Sequence, residues 1–100
     1  MKHWMLFYQT VPDHAERRTA HRELHLKKAW EAHERGELVL GGGLTEGDAG
    51  AALLFQGDSP EVAEKFARAD PYVIEGLITR WWVSEWITVV GDGAASPVRP

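Results

Sequence analysis

Two arginines and two histidines are concentrated between Arg18 and Leu26. In an α-helix, positions i, i+3 and i+4 share one side, so Arg18, His21, Arg22 and His25 would form one polar face. An imidazole can move a proton near neutral pH, and a guanidinium can hold an anion. A solvated helix surface explains the same pattern about as well, so the chemical interpretation requires a partner elsewhere in the chain.

Asp70, in the sequence Asp70-Pro71-Tyr72, is the candidate partner. A carboxylate that is hydrogen-bonded to one ring nitrogen fixes the tautomer of a histidine and raises its basicity. His25 and Asp70 would form such a pair. In the alternative, Asp70 caps a turn before Pro71, and His25 is a half-buried surface residue. Arg22 would hold an anionic substrate or be a solvated helix residue, and Tyr72 would line a pocket or simply pack after Pro71.

A metal site is the second chemical possibility in the same stretch. His21 and His25 have the i, i+4 spacing of two helical metal ligands, and His14 lies two turns further back. The zincin motif would place a glutamate directly after the first histidine, whereas this chain has the cation Arg22 there. Nor does any serine lie in a recognisable nucleophile elbow. The sequence therefore predicts neither a metal nor a cofactor.

Length and charge limit the classes of partner. One hundred residues suffice for a single domain, here 1–90, and 91–100 are small and Pro-containing, which predicts a flexible C-terminal tail. A net charge of -4 with scattered cations argues against a nucleic-acid partner. The first apolar run is too short for a signal sequence or a membrane span. The absence of cysteine is compatible with the cytoplasm. We expect a small-molecule ligand and no membrane partner.

Apolar patterns predict four strands and two helices in chain order. The strands are 3–10, 37–44, 51–56 and a fourth between Leu77 and Val90 that is long enough to contain a bend or bulge; the helices are 13–35 and 59–69.

Each predicted helix has recognisable ends. Asp13 and Glu16 resemble a capping box, and Gly36 would stop the first helix. Ser59 would cap the second helix, with Pro60 at its first position. In the first helix, an apolar stripe is expected to pack on the sheet; it comprises Leu26, Ala29, Trp30 and His33.

Three consecutive glycines, Gly41 to Gly43, follow the second strand. Such a run can cradle a phosphate, but that needs a following helix N-terminus, and the next residues, 44–48, predict a turn. A bulge or a close backbone approach is the preferred interpretation. We therefore expect Gly42 to have a conformation or a closeness that a Cβ atom would disturb.

The order strand, helix, strand, strand, helix, strand is the split βαβ pattern of the ferredoxin-like α+β fold. Two helices cover only one face of a four-stranded sheet, yet the strands are apolar on both faces. For example, Trp4 and Leu6 alternate with Met5 and Phe7. An uncovered apolar face predicts a second subunit, so we expect a homodimer that packs sheet to sheet.

Several short motifs carry a family resemblance that extends over roughly residues 3 to 90. They are Arg22-x-x-His25-Leu26, Gly36-x-Leu38 leading to Gly42, Ala69-Asp70-Pro71-Tyr72, and Gly76. Together they resemble the YCII-related (YciI-like) family. The resemblance implies a dimeric α+β barrel of ferredoxin-like subunits with His25 and Asp70 as the active-site pair. One branch of the family resembles a dehydrochlorinase of chlorinated hydroxyquinols, and the fold is shared with muconolactone isomerase; most members have no established substrate.

These observations predict a cofactor-independent enzyme that acts on a small oxygenated or aromatic compound. His25 and Asp70 would be catalytic, and Arg22, Tyr72 and Gly42 would bind the substrate. The alternative is a non-catalytic binding or interaction module that uses the same cavity. The enzyme prediction requires a His25 ring nitrogen within roughly 3 to 4 Å of an Asp70 carboxylate oxygen, directly or through one water.

Overall fold

One antiparallel sheet of four strands is present in the computed structural model, which describes residues 1–47 and 49–100. The strands are β1 (Lys2–Thr10), β2 (Leu38–Gly43), β3 (Ala51–Gly57) and β4 (Ile78–Trp86), in the spatial order β2-β3-β1-β4. Helical segments connect β1 to β2 and β3 to β4. This arrangement confirms the predicted ferredoxin-like α+β fold.

The first helical segment is interrupted, so the predicted continuous helix over 13–35 is wrong. It consists of α1 (His14–Arg17), a 3₁₀ turn (Arg18–Ala20) and α2 (Arg22–Glu34). The Asp13 side chain makes no capping hydrogen bond, and its backbone carbonyl instead accepts from the N–H groups of Glu16 and Arg17. The predicted capping box is therefore not formed. Arg18 consequently precedes α2.

Gly36 ends α2, as predicted. Its φ of 81° is left-handed, a conformation that glycine adopts without steric penalty. The Gly36 N–H donates to the His33 carbonyl, and the Glu37 N–H donates to the Ala32 carbonyl. These two bonds form the Schellman motif and satisfy the last carbonyls of the helix.

The second helical segment also has two parts, α3 (Glu61–Ala69) and α4 (Pro71–Ile74). Pro60 is the N-cap residue of α3, one position after the predicted cap Ser59, whose Oγ accepts from the Glu61 N–H at 3.3 Å. The chain is extended at Asp70, with φ of -71° and ψ of 124°, and α4 then begins with Pro71 at its first turn. This short helix was not predicted.

The core lies between the sheet and the helices. Alternate residues of β1 are buried there, and they contact apolar residues of β3 and α3; the buried set includes Trp4, Leu6, Tyr8, Leu53, Phe55, Ala63, Phe66 and Ala67. From α2, Ala32 is fully buried and Ala29 is partly buried. The prediction that Leu26 and Trp30 are buried against the sheet is wrong, because Leu26 is 40% exposed and Trp30 is 62% exposed.

Two strands are irregular. Gln9 pairs with Arg80 but Thr10 pairs with Ile78, so Thr79 is an extra residue in β4, and the predicted bulge is present. A second register shift lies in β2 between Leu38 and Leu40, just before the glycine run. After β4, the N–H groups of residues 95, 96 and 98 donate to Thr88 and Val89. Flexibility of the tail 91–100 stays a prediction.

The helices cover only one face of the sheet. On the other face, Met5, Phe7 and Leu54 are half-buried, and the Phe7 and Trp82 rings stack at a centroid distance of 5.4 Å. Leu40, on the same face, is 71% exposed. This face therefore presents a continuous apolar surface. Within the described residues, no helix combines the length and the hydropathy needed to cross a membrane.

Candidate active site

Asp70 is a fully buried carboxylate at the junction of α3 and α4. Three donors converge on it. The Tyr72 N–H donates to Oδ1 at 3.0 Å, the Tyr8 hydroxyl donates to Oδ2 at 2.7 Å, and His25 Nδ1 lies 2.9 and 3.0 Å from the two oxygens. A buried carboxylate requires such donors to offset its lost hydration. Asp70 therefore caps α4 and also contacts His25.

His25, on α2, is held between this carboxylate and an aromatic ring. Its side chain is 14% exposed, and the Tyr72 ring stacks on the imidazole at 3.8 Å with an interplanar angle of 8°. Because Nδ1 faces a carboxylate, Nδ1 is the nitrogen that carries the proton in the neutral ring. His25 also lines a cavity, so Nε2 is the ring nitrogen left for a ligand.

The cavity has a volume of about 420 Å³ and lies between α2, the 3₁₀ turn and the helix-facing side of β2 and β3. This size is suitable for a small organic molecule. Its lining includes four of the predicted site residues, His25, Arg22, Tyr72 and Gly42. Asp70 lies behind His25 and does not line the cavity.

The polar end of the cavity is formed by His14, Arg18 and Arg22 together with His25 and Tyr72. Burial, followed by the nearby Arg18, lowers the pKa of His14 below its usual value, so this imidazole is neutral at pH 7. Burial also raises the pKa of Tyr72, although Arg22 and Arg18 oppose the shift. The fixed positive charge at this end therefore comes from the arginines.

Tyr8 is a site residue that sequence reasoning missed. Its side chain is 1% exposed, and burial, followed by the charge of Asp70, raises its pKa far above the usual range of tyrosine. The hydroxyl consequently remains a donor to Asp70. In the sequence, Tyr8 looked like one more apolar core residue of β1. The available signal was that a buried tyrosine hydroxyl generally has a hydrogen-bond partner.

His21 does not line the cavity, although it was grouped with Arg18, Arg22 and His25. It precedes α2 as the N-cap residue, and its carbonyl accepts from the His25 N–H. Within residues 1–47 and 49–100, no group of three or more His, Cys, Asp or Glu side chains is placed to hold a metal ion.

The expectation for Gly42 is wrong. A Cβ atom built on Gly42 would have no neighbour within 4 Å, and its φ is not positive. The close approach is at Gly50, where a Cβ would lie 2.5 to 3.1 Å from three side-chain atoms of Thr10. Among the described residues between the glycine run and β3, none is helical. Asp48, in the predicted turn 44–48, lies outside the described residues.

Comparisons with known proteins agree with this fold. The model of a family described as the YCII-related domain matches residues 1–87. One similar solved structure is 5-chloro-2-hydroxyhydroquinone dehydrochlorinase (TftG) from Burkholderia phenoliruptrix AC1100, in complex with 2,5-dihydroxybenzoquinone. The match has a TM-score of 0.69 and 19% sequence identity, and covers 86% of this chain and 94% of that chain. At this identity the likeness shows the fold alone. No curated protein matches the sequence.

Proposed function

The chain belongs to the YCII-related family, and we propose that it is a cofactor-independent enzyme acting on a small oxygenated or aromatic compound. Acid–base catalysis by His25 with Asp70 is the proposed chemistry. The observation that carries this proposal is the contact of His25 Nδ1 with both Asp70 oxygens, at 2.9 and 3.0 Å, which leaves Nε2 at the cavity.

In the proposed reaction, His25 Nε2 takes a proton from the bound compound and later returns it. The imidazolium formed in between keeps its Nδ1–H bond to Asp70, whose charge stabilises it. Arg22 holds the anionic form of the compound, and Tyr72 fixes the plane of the imidazole by stacking. Gly42 lies in the cavity wall and would contact the ligand through its backbone.

A non-catalytic module that binds the same compound is the alternative. An open groove with a solvated histidine would favour that module. His25 is instead only 14% exposed and is held by both Asp70 and Tyr72. Such positioning is needed for proton transfer and is unnecessary for simple binding, which supports the enzyme proposal.

We extend the proposal to partners and location. The uncovered sheet face, with Met5, Phe7 and Leu54, supports a homodimer that packs sheet to sheet. A small molecule is the proposed ligand, without nucleic-acid or membrane partners. The cytoplasmic location expected from the cysteine-free sequence stays a prediction.

Turnover of a panel of hydroxyquinols and hydroxybenzoquinones tests the enzyme proposal. The panel starts with 5-chloro-2-hydroxyhydroquinone, the compound in the name of the similar structure. Turnover is measured by the change in absorbance and by chloride release. His25→Ala and Asp70→Asn should each lower the turnover rate by about 100-fold or more. His21→Ala is the matched control, because His21 lies outside the cavity.

Wild-type activity in His25→Ala would contradict the proposed mechanism. Saturable binding of panel compounds without turnover would instead support the non-catalytic module.

A further inference from the structure

The cavity carries a positive charge that the rest of the chain does not share. The full sequence has 15 acidic and 11 basic residues, excluding histidine. Among the described residues, however, no acidic residue lines the cavity, whereas Arg18 and Arg22 both line it. Neither arginine forms an ion pair within residues 1–47 and 49–100. Asp70, behind His25, is the one carboxylate in the described part of the chain that faces this end. Two guanidinium groups outweigh its charge and favour a negatively charged ligand in the partly open cavity.

Two unused hydrogen-bonding atoms lie at the same end of the cavity. His14 Nδ1 and the Tyr72 hydroxyl oxygen are both buried and make no well-formed hydrogen bond among the described residues, although Arg22 is near enough to the Tyr72 hydroxyl to oppose the rise in its pKa. The two rings are in edge contact, with centroids 5.2 Å apart. Buried polar atoms without partners are uncommon in proteins. Their position beside the arginines marks this end as the site of a polar ligand group.

On its sheet side, the cavity has a flat floor beside the polar groups. Gly43 and Ala51 are paired across β2 and β3, on the helix-facing side next to Tyr8, so little side chain rises from this floor. A Cβ atom on Gly43 would have only the Gly50 carbonyl within 4 Å, at 3.7 Å. Leu26 and Trp30 of α2 also line the cavity and carry exposed apolar surface, with Trp30 toward the start of β2. A thin, planar apolar group fits between such surfaces.

We propose that the ligand of this cavity is a conjugated or aromatic carboxylate. Its carboxylate lies between Arg18 and Arg22, and its planar body lies between the glycine floor and α2, along Leu26 toward Trp30. The proposal rests on the proposed function only in placing the substrate in this cavity. It adds the chemical class of the ligand and assigns Arg18 to its recognition.

A pair of probes of nearly the same shape, one charged and one neutral, tests the proposal. The probes are 2-naphthoate and 2-naphthamide, titrated into the full chain and followed by tryptophan fluorescence and by calorimetry. Naphthoate should bind saturably. The affinity for naphthamide should be lower by about tenfold or more, because naphthamide lacks the charge-assisted bonds to the arginines. This comparison uses the wild-type protein and needs no folded variant.

Variants test whether Arg18 and Arg22 cause the preference for naphthoate. Arg18→Gln combined with Arg22→Gln should remove the preference for naphthoate, whereas Arg17→Gln should leave it unchanged. Arg17 is the matched control, because it pairs with Asp13 and does not line the cavity. Gly43→Val should weaken both probes about equally, because its side chain would occupy the floor without changing the charge.

Equal affinities for naphthoate and naphthamide would overturn the proposal, as would the absence of saturable naphthoate binding or an unchanged preference in the double variant. Because these titrations require no turnover, the two proposals can fail separately. A charge-selective protein without activity on any panel compound would contradict the enzyme proposal alone. An active enzyme without charge selectivity would contradict the carboxylate proposal alone.

Discussion

At the scale of single residues, one buried carboxylate joins three elements. Asp70 holds the first turn of α4 through the Tyr72 N–H, and it holds α2 through His25. Tyr8 adds a donor from β1. Since each donor comes from a different element, the geometry of the candidate site depends on the packing of the whole helix-covered side of the sheet.

Tyr8→Phe should destabilise the protein, because it removes a hydroxyl that donates to a buried charged group. The expected loss in free energy of unfolding is about 2 kcal/mol, measured by urea denaturation. Tyr72→Phe is the matched control, since its hydroxyl makes no well-formed hydrogen bond and has the exposed Arg22 as its nearest donor, and it should cost about 0.5 kcal/mol or less. Equal losses in the two variants would contradict the assigned role of the Tyr8 hydroxyl.

His14 should make stability depend on pH. Burial and Arg18 lower its folded-state pKa, so on acidification the unfolded chain takes up this proton first, near pH 6.5. Stability should therefore fall as pH drops through that value, and the contribution should level off below the folded-state pKa. His14→Gln should show a shallower loss of denaturation midpoint between about pH 7 and 5. Identical slopes for both proteins would argue against the lowered pKa.

The sequence predicted the contact between His25 and Asp70 better than it predicted the residues around that contact. Family-like motifs pointed to both residues, and the contact requires only that the loop after α3 reach α2. Tyr8 was missed because alternation in a strand records which residues are buried and not what their polar atoms bond to. Tyr72 was named as a candidate, but its stacking on His25 depends on the short helix α4, which no sequence pattern predicted.

At the scale of secondary structure, apolar periodicity predicted the strands and the main helices. It did not predict the interruption of the first helix or the exposure of two of its apolar side chains. No glycine or proline marks the 3₁₀ turn 18–20, so the sequence offered no reason to interrupt the helix. Leu26 and Trp30 have the spacing of a core stripe, but they face the cavity. A cavity wall and a core contact have the same helical period, which is why the sequence could not separate them.

Gly50→Ala should lower the melting temperature, whereas Gly42→Ala should not. The added Cβ at Gly50 would clash with the branched side chain of Thr10, which has little rotational freedom. Overpacking of this kind costs about 1 to 3 kcal/mol. At Gly42 the Cβ meets nothing within the chain. Calorimetry on both variants checks the pair, and a larger loss at Gly42 would contradict the described packing.

At the scale of the whole molecule, the apolar outer face of the sheet leads us to expect a dimer in solution. Light scattering should give twice the mass of one chain at micromolar concentration. Leu54→Glu, in the middle of that face, should shift the mass to that of a monomer while the circular dichroism spectrum is retained. Lys27→Glu, on an exposed position of α2, is the control. A monomeric wild-type protein would contradict the sheet-to-sheet proposal.

The tautomer of neutral His25 tests the central claim most directly, because it needs no substrate. Nitrogen-15 NMR of the imidazole, at a pH where the ring is neutral, distinguishes a protonated from an unprotonated ring nitrogen, and His25→Gln assigns the signals. The contact with Asp70 predicts a proton on Nδ1 and a free, proton-accepting Nε2. Neutral His25 with its proton on Nε2 would mean that Asp70 does not hold Nδ1–H, and would contradict the proposed acid–base pair.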